Sequence, residues 1–276
     1  MKISKKLKRI ASLLSVGVLI FALTGCTAKS NADNEIIKLG VVGENNEAWE
    51  QVIKNVSKDG IDVELVKFSD YSQVNQALVD GEIDLNSFQH YAYLEKEKED
   101  KGFKLSVIGE TLIAPLGVYS NTLSDIKDIK VGGKIAIPND ATNEGRALKL
   151  LESAGLIKVN EDAGYTPTLS DITENTKNIE FVEVEAGQTA RLLQEVDASV
   201  INGGHAIDAG LNCKEDAIYT ETVEEGSDNP YVNVIVANTT DKDNEKYKKL
   251  VDEYRSDEIA NLIDEVYQGA YVPTWK

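Results

Sequence analysis

Short apolar runs alternate with helix-length segments along most of this chain, and that alternation restricts its fold more than any other feature. Strands are expected at 36–42, 61–68, 83–88 and 104–108, with helical patterns between them at about 46–57, 70–80 and 89–100. A second set follows, with strands at 134–137, 179–184 and 198–201 and helices at about 141–154, 188–196 and 205–211. A strand at 231–237 and two helices, at about 243–255 and 257–268, complete the pattern. Strands that alternate with helices of this length build a mainly parallel sheet, because parallel neighbours need a crossover between them. The apolar run 113–119 contains Pro115, which cannot donate within a central ladder, so it reads as a segment crossing between lobes. The polar, turn-rich stretch 160–177 reads as a surface excursion. The expected fold is α/β with two lobes, each a mainly parallel sheet flanked by helices, and a ligand cleft between them. One lobe takes 36–114 plus 235–276, the other 115–234.

The N-terminus carries an address. Lys2, Lys5, Lys6, Lys8 and Arg9 precede an apolar run, 10–23, that is short of the roughly 20 residues needed to span a bilayer. Leu23-Thr24-Gly25-Cys26 then reads as a lipobox, so 1–25 is a signal peptide, cut before Cys26, whose sulfur takes a diacylglyceryl group. Residues 26–35 form a lipidated tether to the cell membrane, and the body is extracytoplasmic. Without the signal, 24 Lys and Arg stand against 47 Asp and Glu, a formal charge of −23. That excludes nucleic acid as a partner of the body. After Cys26 only Cys213 remains, which allows no intramolecular disulfide and reads as an inert buried thiol.

Open α/β sheets bind ligands beyond the carboxyl ends of their strands. Four such ends stand out. Pro138-Asn139-Asp140 is a turn with a helix N-cap signal, and Arg146 falls in the first turns of that helix. A helix N-terminus favours an anion, and an arginine there adds a fork matched to a carboxylate. The same dipole disfavours an unpaired cation, so Arg146 calls for an anionic partner: a ligand carboxylate, or one of the chain's many acids in an ion pair. Tyr71, Phe88, His90 and Tyr93 lie at or just after two other strand ends, and such a group can line a pocket for an apolar or polarisable side chain or pack as core. Asn202 closes the fourth end, to which Asn233 in the apolar segment 230–233 is added; such a carboxamide orients a ligand's polar groups or simply caps a turn. Together these parts suit a free amino acid with an apolar side chain.

At these residues the chain resembles the methionine-binding lipoproteins of bacterial ABC importers, the NlpA/MetQ type. The matches are Asp84-Leu85-Asn86-Ser87-Phe88-Gln89-His90 with Tyr93-Leu94, Ile137-Pro138-Asn139-Asp140-Ala141-Thr142-Asn143 with Gly145-Arg146-Ala147-Leu148, and the two asparagine strands at Val200-Ile201-Asn202 and Tyr231-Val232-Asn233. The resemblance implies a periplasmic-binding-protein-like fold that closes by a hinge. It implies L-methionine or a related amino acid as ligand, and delivery to a permease coupled to an ATPase. Arg146 would pair the ligand carboxylate, Asn202 and Asn233 would bond its polar ends, and Tyr71, Phe88, His90 and Tyr93 would line the side-chain pocket. Two departures stand out: His205 replaces the family's usual tyrosine, after Gly203-Gly204, and Ala92 its frequent proline. His205 joins the candidate site residues, since the change adjoins Asn202. A different amino acid, a short methionine-containing peptide or an adhesin role are the alternatives.

No enzyme is expected. There is no Gly-x-Ser-x-Gly elbow, and Cys213 has no catalytic spacing to a histidine. His90 and His205, the mature chain's two histidines, make a poor metal set, and no cofactor is implied.

Overall fold

The structure, a computed structural model, describes residues 36–223 and 229–276. The expected signal peptide, Cys26 and the tether lie outside the described residues.

The first lobe opens with β1 (Ile37–Val42), α1 (Glu47–Val56), β2 (Val63–Phe68), α2 (Val74–Val79), β3 (Leu85–His90), α3 (Tyr91–Lys101) and β4 (Leu105–Glu110). A short β5 (Leu112–Ile113) leads across to β6 (Gly117–Tyr119), then β7 (Lys134–Pro138), α4 (Ala141–Ser153), β8 (Lys158–Val159), β9 (Ile172–Glu174), β10 (Glu180–Val184), β11 (Ala198–Ile201), α5 (Gly203–Asp208) and β12 (Tyr219–Thr220). The chain returns through β13 (Asn233–Asn238) and ends with α6 (Glu245–Tyr254), α7 (Asp257–Tyr267) and β14 (Val272–Pro273).

The strand orders are β2-β1-β3-β13-β4 and β10-β7-β11-β6-β12. In each sheet four strands run one way and one is reversed: β13 in the first, β6 in the second. The reversed strands are the ones that enter from the opposite lobe. Parallel strands deliver their carboxyl ends to the cleft, so a chain entering from the cleft must run the other way. Pro115 lies between β5 and β6, outside any ladder, as its missing N–H requires.

The inner strands carry runs of buried apolar residues, as at Val234–Ala237 of β13 and in β11, where Ser199 alone is polar. Leu39, Leu85 and Val236 are fully buried in the first sheet, and Ile135, Ile137 and Val200 in the second. Each such side chain contributes about 1.5–3 kcal/mol relative to exposure. Helix α1 packs its Trp49, Val52 and Val56 face on one side of the first sheet, with α6 and α7 beside it. Leu148 and Leu151 of α4 fill the core of the second lobe.

One expected element differs. Residues 188–196 form no α-helix but two 3₁₀ turns, at Ala186–Gln188 and Arg191–Gln194. The Thr189 carbonyl accepts from Leu192 N at 3.3 Å and from Ser199 Oγ at 2.9 Å, and Leu193 N donates to Ala190 O, so these turns close over three residues rather than four. The excursion at 160–177 contains β9, which pairs with β8 as a small hairpin.

Candidate ligand-binding site

Strand ends from both sheets converge on one cavity of about 120 Å³. All eight residues singled out from the sequence line it: Tyr71, Phe88, His90, Tyr93, Arg146, Asn202, His205 and Asn233.

The second lobe supplies a polar chain that begins at the α4 cap. Asp140 Oδ1 accepts from Asn143 N at 3.0 Å, and both Asp140 oxygens accept from Asn143 Nδ2 at 3.0 Å. That fixes the Asn143 amide with Oδ1 toward the cleft, where it accepts from Asn202 Nδ2 at 2.7 Å. With its nitrogen committed, Asn202 Oδ1 is left as a buried acceptor with no partner among the described residues. A buried polar atom without a partner costs about 1–3 kcal/mol, which a ligand donor recovers.

Arg146 is buried in the second turn of α4, with its side chain 4% exposed. Nε donates to Glu221 Oε1 at 2.9 Å, and Nη2 donates to Glu221 Oε2 at 2.5 Å and to Ala114 O at 3.1 Å. The guanidinium lies over the Tyr231 ring, 4.3 Å from its centre. The ion pair with an acid of the chain, one of the two partners the sequence left open, is therefore present. Nη1 has no partner among the described residues, and Arg146 still lines the cavity. Gly145 beside it allows close packing, since a Cβ there would fall 2.7 Å from Tyr165 O. The hairpin excursion thus sits directly on α4.

The first lobe supplies the aromatic side. Tyr71, on a 3₁₀ turn capped by Asp70, lies 5.8 Å from Phe88, 6.1 Å from Tyr93 and 4.9 Å from His205, ring centre to ring centre. A buried amide network aims this face. Asn75 of α2 exchanges two hydrogen bonds with Gln89, at 2.8 and 2.7 Å, and accepts from Asn86 Nδ2 at 3.0 Å. It locks α2 to β3, whose outer residues include Phe88 and His90.

His90 caps α3, with Nδ1 accepting from Tyr93 N at 3.1 Å. The ring proton is therefore on Nε2, which faces Asn143 Oδ1 at 3.4 Å across the cleft. Burial, helped by Arg146, pulls the His90 pKa down to about 3, so the ring is neutral. Burial also lowers His205, against the pull of Asp208 and Asp70, and its Nε2 has no partner among the described residues. Asn233 opens β13 opposite His90, and its carbonyl accepts from Thr111 N at 2.8 Å. Cys213 is buried with Sγ 3.9 Å from Ala270 O, and burial pushes its thiol up.

Several residues of the site were missed from sequence. Asn143 and Gln89 were inside quoted motifs, and a buried amide was the available signal. Tyr231 lay inside the quoted segment with Asn233, whereas Glu221 carried no local signal. The wall formed by Trp49, Tyr254 and Tyr267 on helices and Tyr271 just before β14 was equally silent, because such aromatic positions read as core. Among the described residues no cluster of three His, Cys, Asp or Glu forms a metal site.

Two α/β lobes enclosing a cavity with polar and aromatic walls define a solute-binding receptor of the periplasmic type. The NlpA lipoprotein family model matches residues 37–275, and the chain belongs to that family. It is 40% identical to the D-methionine-binding lipoprotein MetQ of Yersinia pestis over 99% of this chain and 100% of that one. Among solved structures, the protein PG110 of Staphylococcus aureus is 45% identical with a TM-score of 0.82, covering 86% of this chain and 93% of that one. A nutrient-binding protein of Burkholderia cenocepacia bound to methionine is 41% identical with a TM-score of 0.82, covering 86% and 99%. The chain is accordingly a binding protein of a transport family, not an enzyme.

Proposed function

We propose that this chain is the solute receptor of an ABC importer and that it captures methionine, or a closely related amino acid, by closing its lobes. One observation carries the reading: a single cavity lined by the Arg146 guanidinium and an aromatic wall also holds the buried, unmet carboxamide oxygen of Asn202. Arg146 Nη1 would take the α-carboxylate and Asn202 Oδ1 the α-ammonium, with Asn233 and His205 at the rim of the same space. Tyr71, Phe88, His90 and Tyr93 would hold the side chain, and a thioether gains by packing on ring edges.

Charge and size support this. Glu221 already balances Arg146, so a zwitterion adds no net charge to the buried pair. A cavity of about 120 Å³ has room for roughly 8–12 water-sized groups, and methionine has about nine non-hydrogen atoms. The names of the relatives point the same way.

The lobes are taken as 36–114 plus 235–276 and 115–234. The aromatic wall belongs to one and Arg146 to the other, so a bound ligand bridges them and favours closure. Lipidated Cys26 and the tether 26–35 would hold the receptor at the outer face of the cell membrane, beside the permease and its ATPase.

The test is mass spectrometry of small molecules released on denaturing purified 27–276, followed by calorimetry with L- and D-methionine. Stoichiometric methionine or sub-micromolar binding is expected. No binding of either enantiomer overturns the methionine assignment, and a different released amino acid would redirect it.

A further inference from the structure

Asp208 ends α5, in the second lobe, and its carboxylate reaches into the first lobe. Oδ1 accepts from Glu44 N at 3.1 Å, Asn45 N at 3.2 Å and Asn45 Nδ2 at 2.7 Å. These donors belong to the turn between β1 and α1. The turn leaves them open for two reasons. The N-cap residue of α1, Asn46, makes no side-chain cap and turns its Nδ2 back to Gly43 O at 3.0 Å. Gly43 takes a left-handed conformation with φ +88°, and a Cβ there would lie 2.1 Å from Asp208 Oδ2. The turn is thus a backbone cradle at a helix N-terminus, a geometry suited to an anion, and the anion comes from the opposite lobe.

The seam is also close at a second point, where a Cβ on Gly187 would lie 2.9 Å from Ser69 O. Asn45 and Asn46 line the cavity, while Asp208 itself stays on its exposed outer side. Lys67, held on Glu44 at 2.9 Å, adds positive charge near the carboxylate.

We propose that Asp208 is the positioning residue that latches the two lobes shut over the ligand, by seating its carboxylate in the Gly43–Asn45 amides. The inference rests on the receptor reading above. Opening the cleft breaks three hydrogen bonds at once, and closing re-forms them without touching the ligand. A latch of this kind changes only the closing equilibrium. Every ligand's dissociation constant is then scaled by the same factor, because apparent affinity is intrinsic affinity multiplied by the closed fraction. A residue that touches the ligand has no such uniform effect.

The experiment compares wild-type 27–276 with Asp208→Ala and Asp208→Asn. Calorimetry and stopped-flow are run with L-methionine, D-methionine and L-norleucine. Inter-lobe distance is read by single-molecule energy transfer between dyes at Lys58→Cys and Glu161→Cys, both exposed, while Cys213 stays buried. Asp208→Ala should weaken all ligands by one common factor of about 5- to 30-fold. The loss should fall mainly on the dissociation rate, and the ligand-free protein should shift toward longer distances. Asp208→Asn keeps the accepting oxygen without the charge and should fall between. A loss under about twofold overturns the latch. So does a loss that differs by more than about threefold among the ligands, which would make Asp208 a contact residue. If the wild type binds none of the three, the methionine reading fails on its own, and the distance distribution decides: one unchanged by Asp208→Ala overturns the latch.

Discussion

Arg146 and Glu221 lie 75 residues apart in sequence and meet as a two-pronged ion pair, with Nε–Oε1 2.9 Å and Nη2–Oε2 2.5 Å. The pair joins α4 to the end of β12, the strand that leads out of the second lobe. It holds the guanidinium edge-on, with Nη1 as the prong left for the cavity.

If Nη1 takes the ligand carboxylate, Arg146→Ala should cost about 2–5 kcal/mol of affinity, or roughly 30- to several-thousand-fold. Isothermal calorimetry with L-methionine is the check. A loss under about threefold would remove Arg146 from the ligand contacts.

Glu221→Ala is expected to act on stability. It strands a buried guanidinium and should lower unfolding free energy by about 3–5 kcal/mol. Urea denaturation of the ligand-free protein measures it, and a change below about 1 kcal/mol would contradict the role assigned to the pair.

Stability should fall as pH drops below about 6.5. His90 is neutral in the fold with a pKa near 3, and His205 is lowered in the same direction. Above the unfolded histidine value neither state holds the proton, so there is no penalty. Below it the unfolded chain binds protons that the fold refuses, and stability is lost until the pH nears the folded value. Each such group contributes a slope of up to about 1.4 kcal/mol per pH unit. Asp140 and Glu144, raised by burial, pull the other way as carboxylates titrate. His90→Asn keeps an N-cap acceptor for α3 and should flatten the slope between pH 6.5 and about 4. Equal slopes for variant and wild type would refute the assignment.

Gly145→Ala should destabilise, although alanine favours a helix by about 1 kcal/mol over glycine. The new Cβ would sit 2.7 Å from Tyr165 O and 2.8 Å from Thr166 Cα, both backbone atoms. Overpacking of about 1–3 kcal/mol should outweigh the propensity gain. A higher melting temperature for the variant would mean that the hairpin moves aside freely.

His205→Tyr replaces a buried imidazole in the cavity wall by a larger phenol. The His205 ring stacks 4.9 Å from Tyr71, and its Nε2 has no partner among the described residues. The substitution should change preference across a panel of amino acids and leave the fold intact. Identical affinities for the whole panel would place His205 outside the site.

The sequence by itself determined most of the longer strands and helices, the crossing role of Pro115 and, with the family resemblance of its motifs, the eight residues that line the cavity. These features are local: hydrophobic period, cap residues and strand ends follow from a few neighbours in the chain. Residues 188–196 show where that reasoning stops: Ser199, from a strand packed against the segment, bonds the Thr189 carbonyl, and the backbone there closes in 3₁₀ turns. The tertiary structure alone decided which anion Arg146 meets, which Asn202 atom is left unmet and which turn receives Asp208. Each depends on partners 59 to 164 residues away. The cavity wall at Trp49, Tyr254, Tyr267 and Tyr271 was settled the same way, since an aromatic side chain packs against whatever the fold brings to it. Periodicity fixes which face of an element is buried. Only the assembled lobes fix what that face meets.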